Sequence, residues 1–131
     1  EVNLIRKGKN YGWPLASYGE SDLEHLKSHK LHNFIEPLIY FTPSIGISEI
    51  LYVYNESSNL HDKFILTSLK GNHNGGQIYI LKFLEYENKM EILNQVSIGE
   101  RIRDIKYLPK TNTIYLALEN TPALGILEFK Q

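Results

Sequence analysis

Phe64-Ile65-Leu66-Thr67-Ser68-Leu69-Lys70 and Gly99-Glu100-Arg101-Ile102-Arg103-Asp104-Ile105 decide how the chain is read. Both are short, rich in aliphatic and β-branched residues, and bordered by glycine or asparagine, the pattern of strands that end in turns. Successive strand residues face opposite sides of a sheet, so Arg101 and Arg103 project toward one surface. If the chain folds Lys70 beside them, a cluster of three cations results. Each guanidinium offers a bidentate fork, so such a cluster suits a polycarboxylate. On spacing alone a second reading competes with this one: all three are solvated strand-end charges, the common state of lysine and arginine.

Outward from these runs the texture continues. Strand-like segments at 35–41, 47–54, 63–69, 77–86, 91–98, 102–108, 113–119 and 125–129 are separated by Gly, Asn, Pro and Ser. Their centres lie roughly 8 to 14 residues apart, which fits a sandwich, a barrel or propeller blades. Grouping favours the last. Residues 47–98 make one four-strand meander, and 102–129 begin a second that stops after three strands. The expected class is all-β, a β-propeller fragment of about two blades. An incomplete blade leaves an unpaired edge, and so does the side of Val2. The rest of a propeller, or further copies of the chain, would cover both.

Before the strands, residues 2–6 form an apolar run that Lys7-Gly8-Lys9-Asn10 turns into Tyr11-Gly12-Trp13-Pro14. Glycine, proline and asparagine mark a loop, which Tyr11 and Trp13 are expected to pack down. Ser21-Asp22-Leu23-Glu24 reads as a capping box for a short helical turn reaching about Lys30, inside a polar insertion at about 15–33. His25, His29 and His32 are spaced for one helix face, as a zinc site requires. No HExxH glutamate accompanies them, and Asn33 and Pro37 follow closely, so a solvated insertion explains them more simply and no metal ligand is assigned. Asn72-His73-Asn74-Gly75-Gly76 reads as a hairpin loop, and Asp104 as the acid that orients a neighbouring arginine or caps a turn.

The 131 residues suit one domain with a modest core. A net charge of -1 and a pI near 6.6 argue against general binding to nucleic acid or anionic membrane. The absence of cysteine excludes disulfides, thiolate metal sites and cysteine nucleophiles. No apolar run approaches the roughly 20 residues of a membrane span. The start, Glu1-Val2-Asn3-Leu4-Ile5, has neither an initiator Met nor a signal pattern and reads as the middle of something longer.

Several motifs then coincide. Gly8-Lys9-Asn10-Tyr11-Gly12-Trp13-Pro14, Pro43-Ser44-Ile45-Gly46-Ile47-Ser48, Leu66-Thr67-Ser68-Leu69-Lys70, Arg101-Ile102-Arg103-Asp104-Ile105, and Thr113-Ile114-Tyr115-Leu116 before Gly125-Ile126-Leu127 occur in one order along the chain. In that order they resemble the C-terminal third or so of the soluble glucose/sorbosone dehydrogenase family, the pyrroloquinoline quinone (PQQ)-dependent aldose sugar dehydrogenases. The resemblance covers essentially all of residues 1–131. It implies a six-bladed β-propeller, of which these residues form roughly the last two blades, the missing strand coming from the N-terminal end of the complete protein. It also implies PQQ with calcium as cofactors and an aldose as substrate, oxidised to its lactone by hydride transfer to the quinone. By motif match, Lys70, Arg101 and Arg103 contact PQQ, and Ser44 lines the cofactor pocket. The family's catalytic histidine and calcium loop fall in earlier blades, so no catalytic residue is assigned here and the fragment alone is expected to be inactive. One departure stands out. Where the family usually has an aromatic residue before the Pro-Ser/Thr pair, stacking on the cofactor, this chain has Thr42. The alternative reading is accordingly a non-catalytic propeller module that has lost the cofactor and serves as a binding or scaffolding surface.

Overall fold

A computed structural model of the chain describes residues 1–18, 29–71 and 75–128. Contacts divide it into two compact units, Glu1–Ser44 with Leu84–Met90, and Ile45–Phe83 with Glu91–Gln131.

The first unit holds little regular structure. Val2 and Ile39 form an isolated antiparallel bridge, with the Leu38 amide donating to the Val2 carbonyl at 2.8 Å and the Met90 amide to the Leu38 carbonyl at 2.8 Å. The strand expected at 35–41 is reduced to this bridge. Pro37 has no amide to give to a ladder, and the Ile35 amide is spent on the Asn10 carbonyl at 2.9 Å. The Tyr11 hydroxyl accepts the Arg6 amide at 2.7 Å and donates to the Leu4 carbonyl at 2.8 Å, which pins the following turn. Within that turn Gly12 has φ +95, and a Cβ there would lie 2.9 Å from Ala16 Cβ and 3.1 Å from His29 Cδ2. Ala16 and His29 therefore fill the space beneath the turn, and Trp13 does not pack as expected: it is 81% exposed. The capping box at Ser21, His25 and the centre of the polar insertion lie outside the described residues. Beyond them a short 3-10 turn, Lys30–His32, ends on Asn33 in the left-handed region.

The second unit carries most of the β-structure, only Leu84 and Lys89–Met90 at the ends of two strands counting with the first. Strands β1 (Ile47–Val53), β2 (Lys63–Ser68), β3 (Gln77–Leu84) and β4 (Lys89–Ser97) form one antiparallel meander in the order β1-β2-β3-β4. Strands β5 (Ile102–Leu108), β6 (Thr113–Leu118) and β7 (Leu124–Glu128) form a second sheet in the order β5-β6-β7. The expected all-β class and the division into four strands and three both hold. The remaining expected strands agree with the observed ones to within a few residues at their ends.

The two sheets share a core. Val53, Leu60, Ile65 and Ile78 from the first meet Ile102, Ile105, Ile114 and Leu116 from the second. Registers Leu51↔Ile65↔Ile80 and Tyr107↔Ile114↔Leu127 put the apolar sets of neighbouring strands on the same face. Ile102 and Ile105 are three apart yet both buried, which strict alternation forbids. A register shift between Ile102 and Asp104 resolves this: Arg103 is the extra residue of a β-bulge, so Arg103 and Asp104 are both exposed. A similar shift occurs between Ile47 and Glu49. On its other face the second sheet is open. Leu124 and Ile126 are 68% and 58% exposed, beside a shallow hollow of about 290 Å³ lined by Asp104, Lys106, Leu108, Tyr115, Ala117 and Leu124.

Candidate cofactor-binding site

Lys70 follows the end of β2, and Arg101 and Arg103 lie at the start of β5. The Lys70 amide donates to the Ile45 carbonyl at 2.9 Å and the Lys70 carbonyl accepts the Ser68 hydroxyl at 2.7 Å. Ser68 is fully buried, and its hydroxyl oxygen also accepts the Gln77 amide at 3.0 Å. The next link is Gly76, whose amide donates to the Glu100 carbonyl at 2.8 Å. A Cβ at Gly76 would lie 2.3 Å from the Ser68 carbonyl oxygen, 2.7 Å from that of Glu100 and 3.0 Å from the Ile102 amide nitrogen. Only a glycine lets these three stretches of backbone come so close. The end of β2 and the start of β5 are thus stitched together through buried main chain. The Lys70 side chain is exposed and carries no ion pair to a described residue.

The arginines do share a surface. Their half-exposed side chains converge on one carboxylate oxygen: Glu119 Oε2 lies 2.9 Å from Arg103 Nη2 and 3.5 Å from Arg101 Nη1. Alternation alone did not produce this, because Arg101 precedes β5 and Arg103 sits in the bulge. The acid expected to orient an arginine was Asp104; its carboxylate instead accepts the Ile105 amide at 2.8 Å, and Glu119 holds the bridging position. Sequence reasoning overlooked Glu119. Its signal was the antiparallel pairing, in which Ile102 faces Leu118 and the Glu119 amide donates to the Arg101 carbonyl at 3.0 Å. Nor did it find Glu100. The Glu100 carboxylate accepts the Thr121 hydroxyl at 2.6 Å and the Thr121 and Asn120 amides at 2.9 and 3.0 Å, so it ties down the turn after β6. These hydrogen bonds, led by the Thr121 hydroxyl, hold the Glu100 carboxyl below its ordinary range.

Ser44, the fourth expected pocket residue, closes the first unit and is exposed. Nearby in sequence, the Thr42 hydroxyl donates to the Tyr18 carbonyl. Tyr18 is the hub of an aromatic group: its ring stacks on Tyr40 at 3.9 Å between centroids and on His29 at 5.1 Å. Its hydroxyl donates to Glu36 Oε2 at 2.6 Å, and the adjacent carboxylate pushes the phenol pKa up to about 12. His29 is fully buried, its Nδ1 3.9 Å from Glu36 Oε2, and neither ring nitrogen has a hydrogen-bond partner among the described residues. His32 is exposed and stacks on Phe34. Among the described residues no group of three His, Cys, Asp or Glu side chains could hold a metal ion. None of their helices is long and apolar enough to cross a membrane.

The family model of glucose / sorbosone dehydrogenase matches residues 1–126. The chain belongs to this family. It is also similar to the uncharacterized protein slr1608 of Synechocystis sp. (strain ATCC 27184 / PCC 6803 / Kazusa), 32% identical over 131 residues that cover 98% of this chain and 31% of that protein. The chain thus spans under a third of the length of this relative. No solved structure matches it significantly. The glucose/sorbosone dehydrogenases are β-propellers, and the meanders of four and three strands are propeller blades.

For a glucose/sorbosone dehydrogenase the question at this end of the blades is whether its residues suit a flat tricarboxylate such as PQQ. The donor set is of the right kind. Each guanidinium has five N–H groups, and a single shared carboxylate oxygen leaves most of them available. Lys70 adds an exposed ammonium. Within the first unit, Thr42 has no ring and Tyr40 lies against Tyr18.

Proposed function

We propose that this chain forms the cofactor-seating end of a PQQ- and calcium-dependent sugar dehydrogenase that oxidises an aldose to its lactone. The supporting observation is the convergence of Arg101 and Arg103 on one carboxylate oxygen, at the end of the blades that also carries Lys70. Bound PQQ supplies the hydride-accepting quinone. In this reading Arg101 and Arg103 bind its carboxylates through paired N–H donors, which fixes its orientation. Lys70 contributes a positive charge that favours electron density on the bound group, and Ser44 offers a hydroxyl to the pocket wall. The general base and the calcium-holding loop we assign to parts of the parent protein outside these residues, so residues 1–131 alone have no turnover.

A second reading draws on the aromatic group. Thr42, tied to the Tyr18 carbonyl, has no ring to stack, and Tyr40 has one face against Tyr18. A propeller that kept the fold without the cofactor would look the same at this point. Full-length protein supplied with PQQ and calcium, with reduction of an artificial electron acceptor followed in the presence of glucose, separates the two. The dehydrogenase reading expects turnover, and it expects Arg101→Ala or Arg103→Ala to weaken PQQ binding about tenfold or more, the scale of a charged anchor lost from a half-exposed site. No turnover with any aldose, and no PQQ absorbance retained after desalting, would establish the scaffold reading instead.

A further inference from the structure

Two like-charged guanidiniums side by side repel, and without a counter-ion their long side chains spread into solvent. Here they do not. Glu119 Oε2 lies within 2.9 Å of Arg103 and 3.5 Å of Arg101, and the Glu119 side chain, 30% exposed, is better sheltered than the arginines at 49% and 47%. The Glu119 backbone is fixed too, its amide bonded to the Arg101 carbonyl at 3.0 Å. The turn that follows is strapped by Glu100, which precedes Arg101 and accepts three hydrogen bonds from Asn120 and Thr121. One acid therefore holds the two arginine heads, and another holds the segment from which the first projects.

We propose that Glu119 is a positioning residue: its carboxylate keeps the heads of Arg101 and Arg103 together before any ligand arrives, and Glu100 keeps Glu119 in place. The ordering cost of two arginine side chains is met in the free protein, and so a polycarboxylate binds more tightly than it would to unrestrained arginines. This rests on the cofactor reading for its ligand, but the effect on the arginines does not.

The test uses full-length protein carrying Glu119→Gln, which removes the charge and keeps the shape, and Glu119→Asp, which keeps the charge on a shorter stem. Two readouts are taken beside the melting temperature: equilibrium PQQ affinity, and the NMR signals of the Arg101 and Arg103 side-chain N–H groups in ligand-free protein. Glu119→Gln is expected to melt within a few degrees of wild type, to bind PQQ about tenfold more weakly, and to lose the dispersion of both arginine signals. Glu119→Asp should recover most of both. Wild type that retains no PQQ while Glu119→Gln still collapses the arginine signals sinks the cofactor reading and leaves the positioning role standing. Unchanged arginine signals in Glu119→Gln overturn the positioning role whatever the ligand, and so does PQQ affinity that is equal or tighter, since Glu119 then competes with the ligand rather than preparing its site. Should Glu119→Gln not fold, Glu119→Asp decides: arginine signals and affinity near wild type support the role, and loss of dispersion with the charge retained refutes it.

Discussion

At the scale of single residues, the acids of this chain act mainly through what they hold. Glu36 accepts a hydrogen bond from the Tyr18 phenol at 2.6 Å, and with that phenol pushed up to about 12 the folded state keeps the phenol proton longer than the unfolded chain, which releases it near the ordinary value of about 10. Between those values the folded form binds more protons, so stability present at neutral pH falls as pH rises from about 10 toward about 12. Phenolate absorbance during an alkaline titration should show a last step near 12 in wild type that is missing in Tyr18→Phe, while Tyr52 and Tyr79, also raised, titrate before it. Glu100 carries the opposite sign. Its carboxyl is held low by Thr121, so its contribution is present above the ordinary carboxylate range and is lost as pH falls through the lowered value. Glu100→Gln should therefore flatten part of the acid limb of a stability-versus-pH curve followed by circular dichroism, and an unchanged limb would show that the strap adds nothing.

At the scale of the elements, backbone proximity sets the site more than side-chain pattern does. Gly76 lies against the Ser68 and Glu100 carbonyls and the Ile102 amide, none of which is a flexible side chain. Gly76→Ala should destabilise the protein by about 1–3 kcal/mol, the usual cost of overpacking, and thermal melts of the variant measure it. Ile65, fully buried between the sheets, belongs to the other class: Ile65→Ala should cost about 2–5 kcal/mol through lost burial and a cavity. The strands were legible because their composition and turn residues agree: β2 is Lys-Phe-Ile-Leu-Thr-Ser and runs into Lys70-Gly71. The segment 35–41 misled because its composition is that of a strand while Pro37 denies it a ladder. Trp13 misled for a related reason, since an aromatic residue in a Gly/Pro loop pins it only where space remains, and Ala16 and His29 had filled it. The meeting of Arg101 with Arg103 was foreseen, but the bulge that turns Arg103 and Asp104 outward together leaves no mark in alternation, and the partnership with Glu119 is visible only once β5 and β6 are paired.

At the scale of the whole molecule, the second sheet is unfinished. Strand β7 has β6 as its only sheet neighbour among the described residues, and Leu124 and Ile126 stand exposed on its open face. An edge of this kind pairs with whatever strand it meets. Residues 1–131 expressed alone should therefore self-associate, and Leu124→Lys with Ile126→Lys should shift the population toward monomer in light scattering. A stable monomer at high concentration without those changes counts against this expectation. The count of four strands and then three was itself legible, because each strand run is closed by its own turn residues.

Both sheets are kinked by a bulge near the start of their first strand. Each bulge falls on the second residue of its sheet's opening strand, Ser48 in one and Arg103 in the other. Serine there bonds to Thr67; arginine there reaches Glu119. Such a repeated socket separates architecture from chemistry: the hydrogen-bond ladder tolerates either tenant, so a blade can acquire or discard a charged anchor by one codon change while the pairing around it stays as it was.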